Sequence, residues 1–522
     1  MNFVRLASFR PLAGFALCAV AAAAAAQPQI PQPRTTESDG PWTYTTFEQG
    51  TQIRVSVVAA GLAHPWSIAF LPGTAGAGNP MGDALITERE GRIRLLKGGS
   101  LVAEPAANLK DVFELDQVFD IALHPDFERN RLVYFTYSKT AAPPEGERYF
   151  ATTALARGRL DGERLTDIED VFVADAWHTN FGGDASPIAF APDGHIFMSV
   201  SHRRVPEPPQ SLGSHIGKVL RLTDTGEPAP GNPFSGAEGA LPEIYSYGHR
   251  TVMDLTFRPE TGELWELENG PNGGDEINII TAGENYGWPI VTYGRDYDGS
   301  RAAPQPWQEG MQQPELFWVP SITAASLLFY TGDRFPAWRG NLFVTAMTEG
   351  RLPRTGHVQR IVFNENGEVR RERLLTDLGL RMRHIAAGPD GLLYLLTDQD
   401  EGALLRIEPV DAAETTSSVR STPAGTAAGR IAPPNQAPAL FAEHDCATCH
   451  QLERRNIGPA YLEIAQRYEA TDDVVAQLAA RIITGSVGQW GEAPMTAHPG
   501  IDTDTAKDIV RTILALDSAG ER

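Results

Sequence analysis

Cys446-Ala447-Thr448-Cys449-His450 sets two thiols at the spacing that reaches both vinyl groups of one porphyrin, followed at once by an imidazole able to ligate its iron. The pattern reads as a c-type haem attachment site. A disulfide or half of a zinc site would use the same two cysteines, but no further Cys pair or His-x-His partner lies nearby. Downstream, Gly458-Pro459 and then Trp490-Gly491-Glu492-Ala493-Pro494-Met495 supply a context in which Met495 is the second axial ligand, the alternative for Met495 being core packing. An iron held by His450 and Met495 has no open position, so such a haem carries electrons and leaves substrate chemistry to another part of the chain.

From about Pro438 onward the chain resembles a class I small cytochrome c of the soluble electron-transfer type. Apolar positions recur at helical spacing over 473–484 and 503–516, as a small all-α domain requires. The remainder must then hold the source of electrons. With 522 residues the chain is too long for one core, and two to four domains are expected. A formal net charge of −22 argues against nucleic acid as a partner. It permits steering of a basic redox partner, and it equally serves plain solubility.

Arg5 and Arg10 precede an alanine-rich apolar run that ends in Ala24-Ala25-Ala26-Gln27, so residues 1–26 read as a secretory signal peptide. The run is short and weakly apolar against the roughly twenty residues a membrane span needs, and no transmembrane span is expected in the mature chain. Cys18 lies inside the leader, which leaves Cys446 and Cys449 as the cysteines of the mature protein. Export and covalent haem attachment agree on the bacterial periplasm.

Residues 27–45 form a polar N-terminal extension, and from 46 to 410 the sequence is β-like throughout. Short alternating runs such as Leu132-Val133-Tyr134-Phe135-Thr136-Tyr137 are bounded by Gly, Pro, Asn and Asp. One phrase recurs: Ile68-Ala69-Phe70-Leu71-Pro72, Ile121-Ala122-Leu123-His124-Pro125, Ile188-Ala189-Phe190-Ala191-Pro192, Leu255-Thr256-Phe257-Arg258-Pro259 and Ile385-Ala386-Ala387-Gly388-Pro389. Its prolines return at roughly fifty to seventy residues with one double gap, a propeller-like period into which about six blades fit. A large β-sandwich would not repeat the same strand-turn-strand phrase along the whole domain. Residues 411–437 turn to Ala, Thr, Ser, Gly and Pro without periodicity, a flexible linker, and 438–522 form the cytochrome c domain. The expected architecture is an all-β six-bladed propeller followed by a small all-α cytochrome c domain.

The specific stretches of the β region include Gly61-Leu62-Ala63-His64-Pro65-Trp66, Tyr247-Gly248-His249-Arg250, Gly270-Pro271-Asn272-Gly273-Gly274-Asp275-Glu276, Asn285-Tyr286-Gly287-Trp288-Pro289 and Arg381-Met382-Arg383. Together they resemble the soluble quinoprotein sugar dehydrogenases, the glucose/sorbosone or aldose sugar dehydrogenase family, over 53–409. The resemblance implies a propeller that holds pyrroloquinoline quinone (PQQ) and calcium and oxidises an aldose to its lactone. Arg250, Arg381 and Arg383 match the family's cofactor-binding arginines, whose planar forks suit the carboxylates of PQQ. Gly270 and Pro271 match the carbonyl ligands of the calcium that polarises the quinone, and Asp275, Glu276 and Tyr286 match a second, structural calcium site. Read by themselves, Asp275 and Glu276 are equally a turn pair capping backbone amides.

Departures cluster where the cofactor would sit. The family places a catalytic His directly before Phe-Gly-Gly, and here that position is Asn180, which cannot act as a general base. His178 lies two residues earlier, on the same face if the segment is an extended strand, and is the candidate proton acceptor; the alternative is an ordinary core or surface histidine. Thr251, Val252 and Met253 replace an Asn-Pro-Gln run, and Leu115-Asp116-Gln117 stands where a Gly-rich Gln segment is usual. No P-loop, nucleophile elbow or dinucleotide fingerprint offers a competing enzyme class. The expected protein is a periplasmic PQQ dehydrogenase of a sugar or related alcohol that passes electrons to its own haem and on to a soluble or membrane acceptor. Its rivals are a haem-bearing propeller with a degenerate PQQ site, acting in electron transfer or ligand binding, and a dehydrogenase with a different cofactor.

Overall fold

Each recurrence of the apolar phrase becomes the first strand of a small antiparallel sheet. The computed structural model describes residues 40–46, 52–180, 182, 184–202, 205, 208–410, 450, 459–468, 470–486, 495, 498 and 501–515. The strands Pro65–Phe70, Leu115–Leu123, Ile188–Phe190, Thr251–Phe257 and Met382–Ala387 carry the five copies and open blades I, II, III, IV and VI. Blade V opens with Ala324–Phe329, where Leu327 takes the corresponding position. Its phrase runs into Tyr330-Thr331-Gly332-Asp333, without the proline, and this blade accounts for the double gap between Pro259 and Pro389. The first strands of successive blades touch in a closed ring, giving a six-bladed propeller.

Closure comes from the N-terminal side. Gln52–Leu62 pairs antiparallel with Gly402–Pro409 of blade VI, Val57 opposite Leu405, so the last blade is completed by the first long strand. Trp42–Thr45, assigned by composition to the extension, adds one more strand outside it. This pairing leaves no open seam in the ring. Between blades the packing is apolar, as where Trp265 of blade IV meets Phe329 of blade V edge-on at 5.1 Å.

In blades II, IV and V the residue before the phrase, or before its counterpart, bonds to the next blade around the ring. Asp120 Oδ2 accepts the Ile188 amide of the next blade at 2.7 Å, Asp254 Oδ2 accepts the Leu327 amide at 2.8 Å, and Ser326 Oγ accepts the Ile385 amide at 3.4 Å. Strands within a blade are antiparallel, so the connections between blades and those between second and third strands fall at the same end. That end receives His178 and Asn180 before blade III, Arg250 before blade IV, the Gly270–Glu276 loop within blade IV, and Arg381 and Arg383 at the entry to blade VI.

The C-terminal part contains the helices Tyr461–Arg467, Asp472–Thr484 and Thr503–Leu514, close to the expected 473–484 and 503–516. Thr471 caps the second through the Val474 amide, and the Asp502 carboxylate caps the third through the amides of Asp504 and Thr505. Their apolar stripes, Val475, Ala479 and Ile482 on one and Ile509, Val510 and Ile513 on the other, form one core. The proposed leader 1–26, the linker 411–437, and Cys446 and Cys449 lie outside the described residues. Among the described residues no helix is long and apolar enough to cross a membrane.

Candidate functional site

Three arginines enter the site end from the first strands of blades IV and VI. Arg250 donates from Nη1 to the carbonyls of Asn269 and of Gly270, the latter at 2.8 Å, and its guanidinium lies 5.2 Å from the Trp288 ring. Its Nη2 reaches the Tyr297 hydroxyl at 3.3 Å. Arg381 is held by Asp398, whose Oδ2 accepts from Nε and Nη2 at 3.3 Å each. Asp398 in turn meets His64 Nδ1 at 2.8 Å, and His64 Nε2 meets Asp400 at 2.6 Å. Burial alone would raise the Asp398 carboxyl, but the His64 bond and the charges of Arg89, His64 and Arg381 hold it well below the usual range.

Arg383 differs from the other two. Its guanidinium is buried over the Trp66 ring, 3.2 Å from the centroid, and its Nη1 donates to the Met347 thioether at 3.4 Å. Among the described residues no carboxylate hydrogen-bonds to it. Burial pushes it down to about 9, because a cation out of water without a bonded anion is disfavoured. Such a guanidinium fits a carboxylate-bearing cofactor.

The Gly270 loop presents carbonyls because it has no room for side chains. A Cβ on Gly270 would come 2.1 Å from the Gly273 oxygen. Asp275 holds this loop from beneath: Oδ1 accepts the Gly270 amide at 3.0 Å, and Oδ2 accepts Ser321 Oγ at 2.8 Å and the amides of Ile322 and Ala324 at 2.9 and 3.2 Å. Its oxygens are engaged in capping. Glu276, paired across the sheet with Glu268, belongs instead to a buried acidic group. His249 Nδ1 lies 3.9 Å from Glu266 Oε1 and 3.6 Å from Glu268 Oε2, while His249 Nε2 meets Ser246 Oγ at 2.8 Å and the ring stacks on Tyr286 at 4.7 Å.

Burial, with the neighbouring Glu268 charge, drives Glu266 and Glu276 well above the ordinary carboxylate range. Among the described residues, Glu266 Oε1 and His249 Nδ1 are buried without a hydrogen-bond partner. Two buried carboxylates, Glu266 and Glu268, facing the His249 imidazole form a donor set that suits a divalent cation, with Glu276 across the strand from Glu268. Sequence reading found Glu276 and Tyr286 and missed His249, Glu266 and Glu268. The available signal was acid at alternate positions of an otherwise apolar strand, Leu264-Trp265-Glu266-Leu267-Glu268.

Around Asn180 the structure differs from the strand expectation. His178 pairs with Ala151 through two backbone bonds of 3.0 Å, but bends at Asp175 and Thr179 interrupt the extended geometry. His178 is buried, its ring 5.9 Å from Tyr149, and Asn180 is exposed, so the two do not share a face as strict alternation would give. Phe181 and Gly183 lie outside the described residues. Met253, in place of the family's amide, is buried in the first strand of blade IV.

In the C-terminal part, His450 Nδ1 donates to the Pro459 carbonyl at 2.7 Å, which fixes the ring and makes Nε2 the nitrogen that could face a metal. Its ring stacks on Tyr461 at 5.6 Å. Met495 is positioned by paired backbone bonds with Ser486 at 2.8 and 2.9 Å and packs on the helical core.

Residues 62–406 match the family model described as Glucose / Sorbosone dehydrogenase. Over 369 residues the chain is 36% identical to an aldose sugar dehydrogenase of Escherichia coli, covering 68% of this chain and 93% of that protein. The crystal structure of the soluble aldose sugar dehydrogenase from Escherichia coli in its apo-form is similar with a TM-score of 0.61 at 34% identity, over 69% of this chain and 100% of that one. A further 77 residues are 38% identical to cytochrome c-552 of Nitrosomonas europaea, 15% of this chain and 75% of that protein.

Proposed function

The chain belongs to the glucose/sorbosone dehydrogenase family and carries a class I cytochrome c segment, and from that membership we propose a periplasmic PQQ dehydrogenase that oxidises an aldose or related alcohol and delivers the electrons to its own haem. The observation that carries this reading is Arg383, a buried guanidinium given a thioether and an indole face by its surroundings and, among the described residues, no bonded carboxylate. With Arg250 and Arg381 it would bind the cofactor carboxylates in bidentate geometry. PQQ, when bound, supplies a two-electron acceptor beside the sugar. The Gly270 and Pro271 carbonyls would hold the calcium next to it, and Glu276 and Tyr286, joined by His249, Glu266 and Glu268, the structural one.

A general base must take the sugar's hydroxyl proton, and His178 is the imidazole nearest in sequence to the vacated family position at Asn180. His450 and Met495 would ligate the haem attached at Cys446 and Cys449. The linker keeps acceptor and donor at an effective concentration of about millimolar. The leader and the c-type haem support export, and a soluble or membrane carrier would take the electrons onward.

The full-length haem protein, supplied with PQQ and calcium, should reduce its haem when aldoses are added. One observation favours a second reading: Asn180 is exposed and cannot accept a proton. If PQQ fails to bind and no aldose or alcohol reduces the haem, the protein is a haem-bearing propeller with a degenerate site, serving electron transfer or ligand binding.

A further inference from the structure

We propose that His202 is the group that accepts the hydroxyl proton of the substrate. The inference rests on the dehydrogenase reading and replaces His178 as the base within it.

The second strand of blade III, Ile196–Val200, delivers Ser201 and His202 to the site end. Both are fixed by the backbone around them. Ser201 Oγ accepts the Ala185 amide at 3.1 Å and donates to the Ala185 carbonyl at 3.0 Å, and the His202 amide donates to the Arg250 carbonyl at 2.7 Å. His202 is therefore attached directly to a cofactor-binding residue of the next blade. Its buried ring lies edge-on to Trp288 at 5.5 Å, and the same indole carries the Arg250 guanidinium at 5.2 Å. Imidazole, indole and guanidinium thus make one continuous wall. A proton acceptor must stand within hydrogen-bond reach of the hydroxyl on the carbon that loses hydride, which places it beside the cofactor.

Two other described imidazoles at this end are held by carboxylate and hydroxyl partners. His64 is clamped by Asp398 and Asp400, and His249 is enclosed by Ser246 and the buried glutamates. His178 is tied by its backbone through Ala151 to the third strand of blade II, two strands out from the ring, and its ring lies 5.9 Å from that of Tyr149. His202 stands at the end of a second strand and adjoins Arg250. In the step assigned to it, the anomeric O–H bond breaks and its proton forms a bond to a His202 nitrogen, making an imidazolium. The C1 hydrogen leaves with its electron pair for the quinone, the two-electron acceptor, and the aldose becomes its lactone. The imidazolium then returns its proton to solvent.

The test compares the full-length haem protein with His202→Gln, using His202→Asn if the first variant does not fold. PQQ affinity is followed by tryptophan fluorescence, and haem reduction by stopped flow with an aldose. His202→Gln should lower turnover by at least about 100-fold, with PQQ affinity and KM within about threefold, and added imidazole should restore part of the rate. The loss should exceed that of His178→Ala by about tenfold or more. Three results overturn the assignment: a His202→Gln protein that keeps a third or more of its turnover, a larger loss at His178, or a turnover loss that follows lost PQQ affinity, which would make His202 a support for Arg250. A wild-type protein that binds no PQQ and reduces no haem overturns the dehydrogenase reading and the base together; an active wild type beside an active His202→Gln overturns the base alone.

Discussion

Asp254 accepts the main-chain amide of Leu327, 2.8 Å away and one blade on, so a carboxylate buried near the propeller axis joins blades IV and V. Asp120 does the same between blades II and III. Burial, and then the Asp120 charge, raises Asp254 to about 7. Because the folded value lies above the ordinary one of about 3.9, this group's stabilising contribution is complete below about pH 4 and is lost as the pH rises through 7. The difference is an upper bound of roughly 4 kcal/mol at about 1.4 kcal/mol per unit. Melting of the propeller should fall between pH 5 and pH 8. Asp254→Ser, which copies what Ser326 does in blade V, should flatten that slope; an equal slope in the variant would assign the pH dependence elsewhere.

Calcium removal should act on the propeller alone. A ligand at a hundredfold excess over its Kd stabilises the native state by about 2.7 kcal/mol. Chelation should therefore lower the propeller melting temperature by several degrees and leave the cytochrome transition in place. Glu266→Gln, by removing one of the two buried carboxylates that face His249, should shrink the difference between chelated and calcium-loaded protein. Calorimetry showing equal melting with and without calcium would remove the metal from this group.

Replacing Arg383 by Met separates binding from stability. The guanidinium is buried without a bonded carboxylate, so its loss removes a desolvated charge. The apo-protein should melt at the same temperature or higher. PQQ affinity should fall about 10- to 100-fold, since a charge-assisted hydrogen bond contributes about 1.5–3 kcal/mol. A variant that binds PQQ as wild type does would exclude Arg383 from the cofactor site.

Met495→Ala should abolish the sulfur-to-iron charge-transfer band of the oxidised protein and lower the haem potential, because a thioether favours ferrous iron. Near-infrared absorption and a redox titration read both. An unchanged band would assign the axial position to another residue.

Linear pattern carried much of this protein. The recurring phrase at Ile68, Ile121, Ile188, Leu255 and Ile385 was enough for a propeller, because strand alternation and the Pro-Asp-Gly turn are local. Blade V escaped it, since Tyr330-Thr331-Gly332 closes the same kind of strand with different turn chemistry. The haem motif, the axial candidates and the helices at 472–484 and 503–514 were legible for the same reason: their signals lie within a few turns of chain.

Tertiary structure decided what depends on distance and burial. Asp275 matches a metal position by its motif, but its oxygens are taken by the Gly270 amide and, 46 to 49 residues later, by the Ser321 hydroxyl and the Ile322 and Ala324 amides. His178 and Asn180 were paired by strand alternation, and two bends put one inside and the other out. Glu266 and Glu268 on one strand meet His249 only when the loop before the preceding strand folds against them, and their shared burial is what makes a cation fit among them. His202 had no motif to announce it; it gains meaning from the Arg250 carbonyl and Trp288, contacts made by other segments. Residue type and spacing determined which chemistries were available, while packing between blades decided which groups stand together and stay dry enough to perform them.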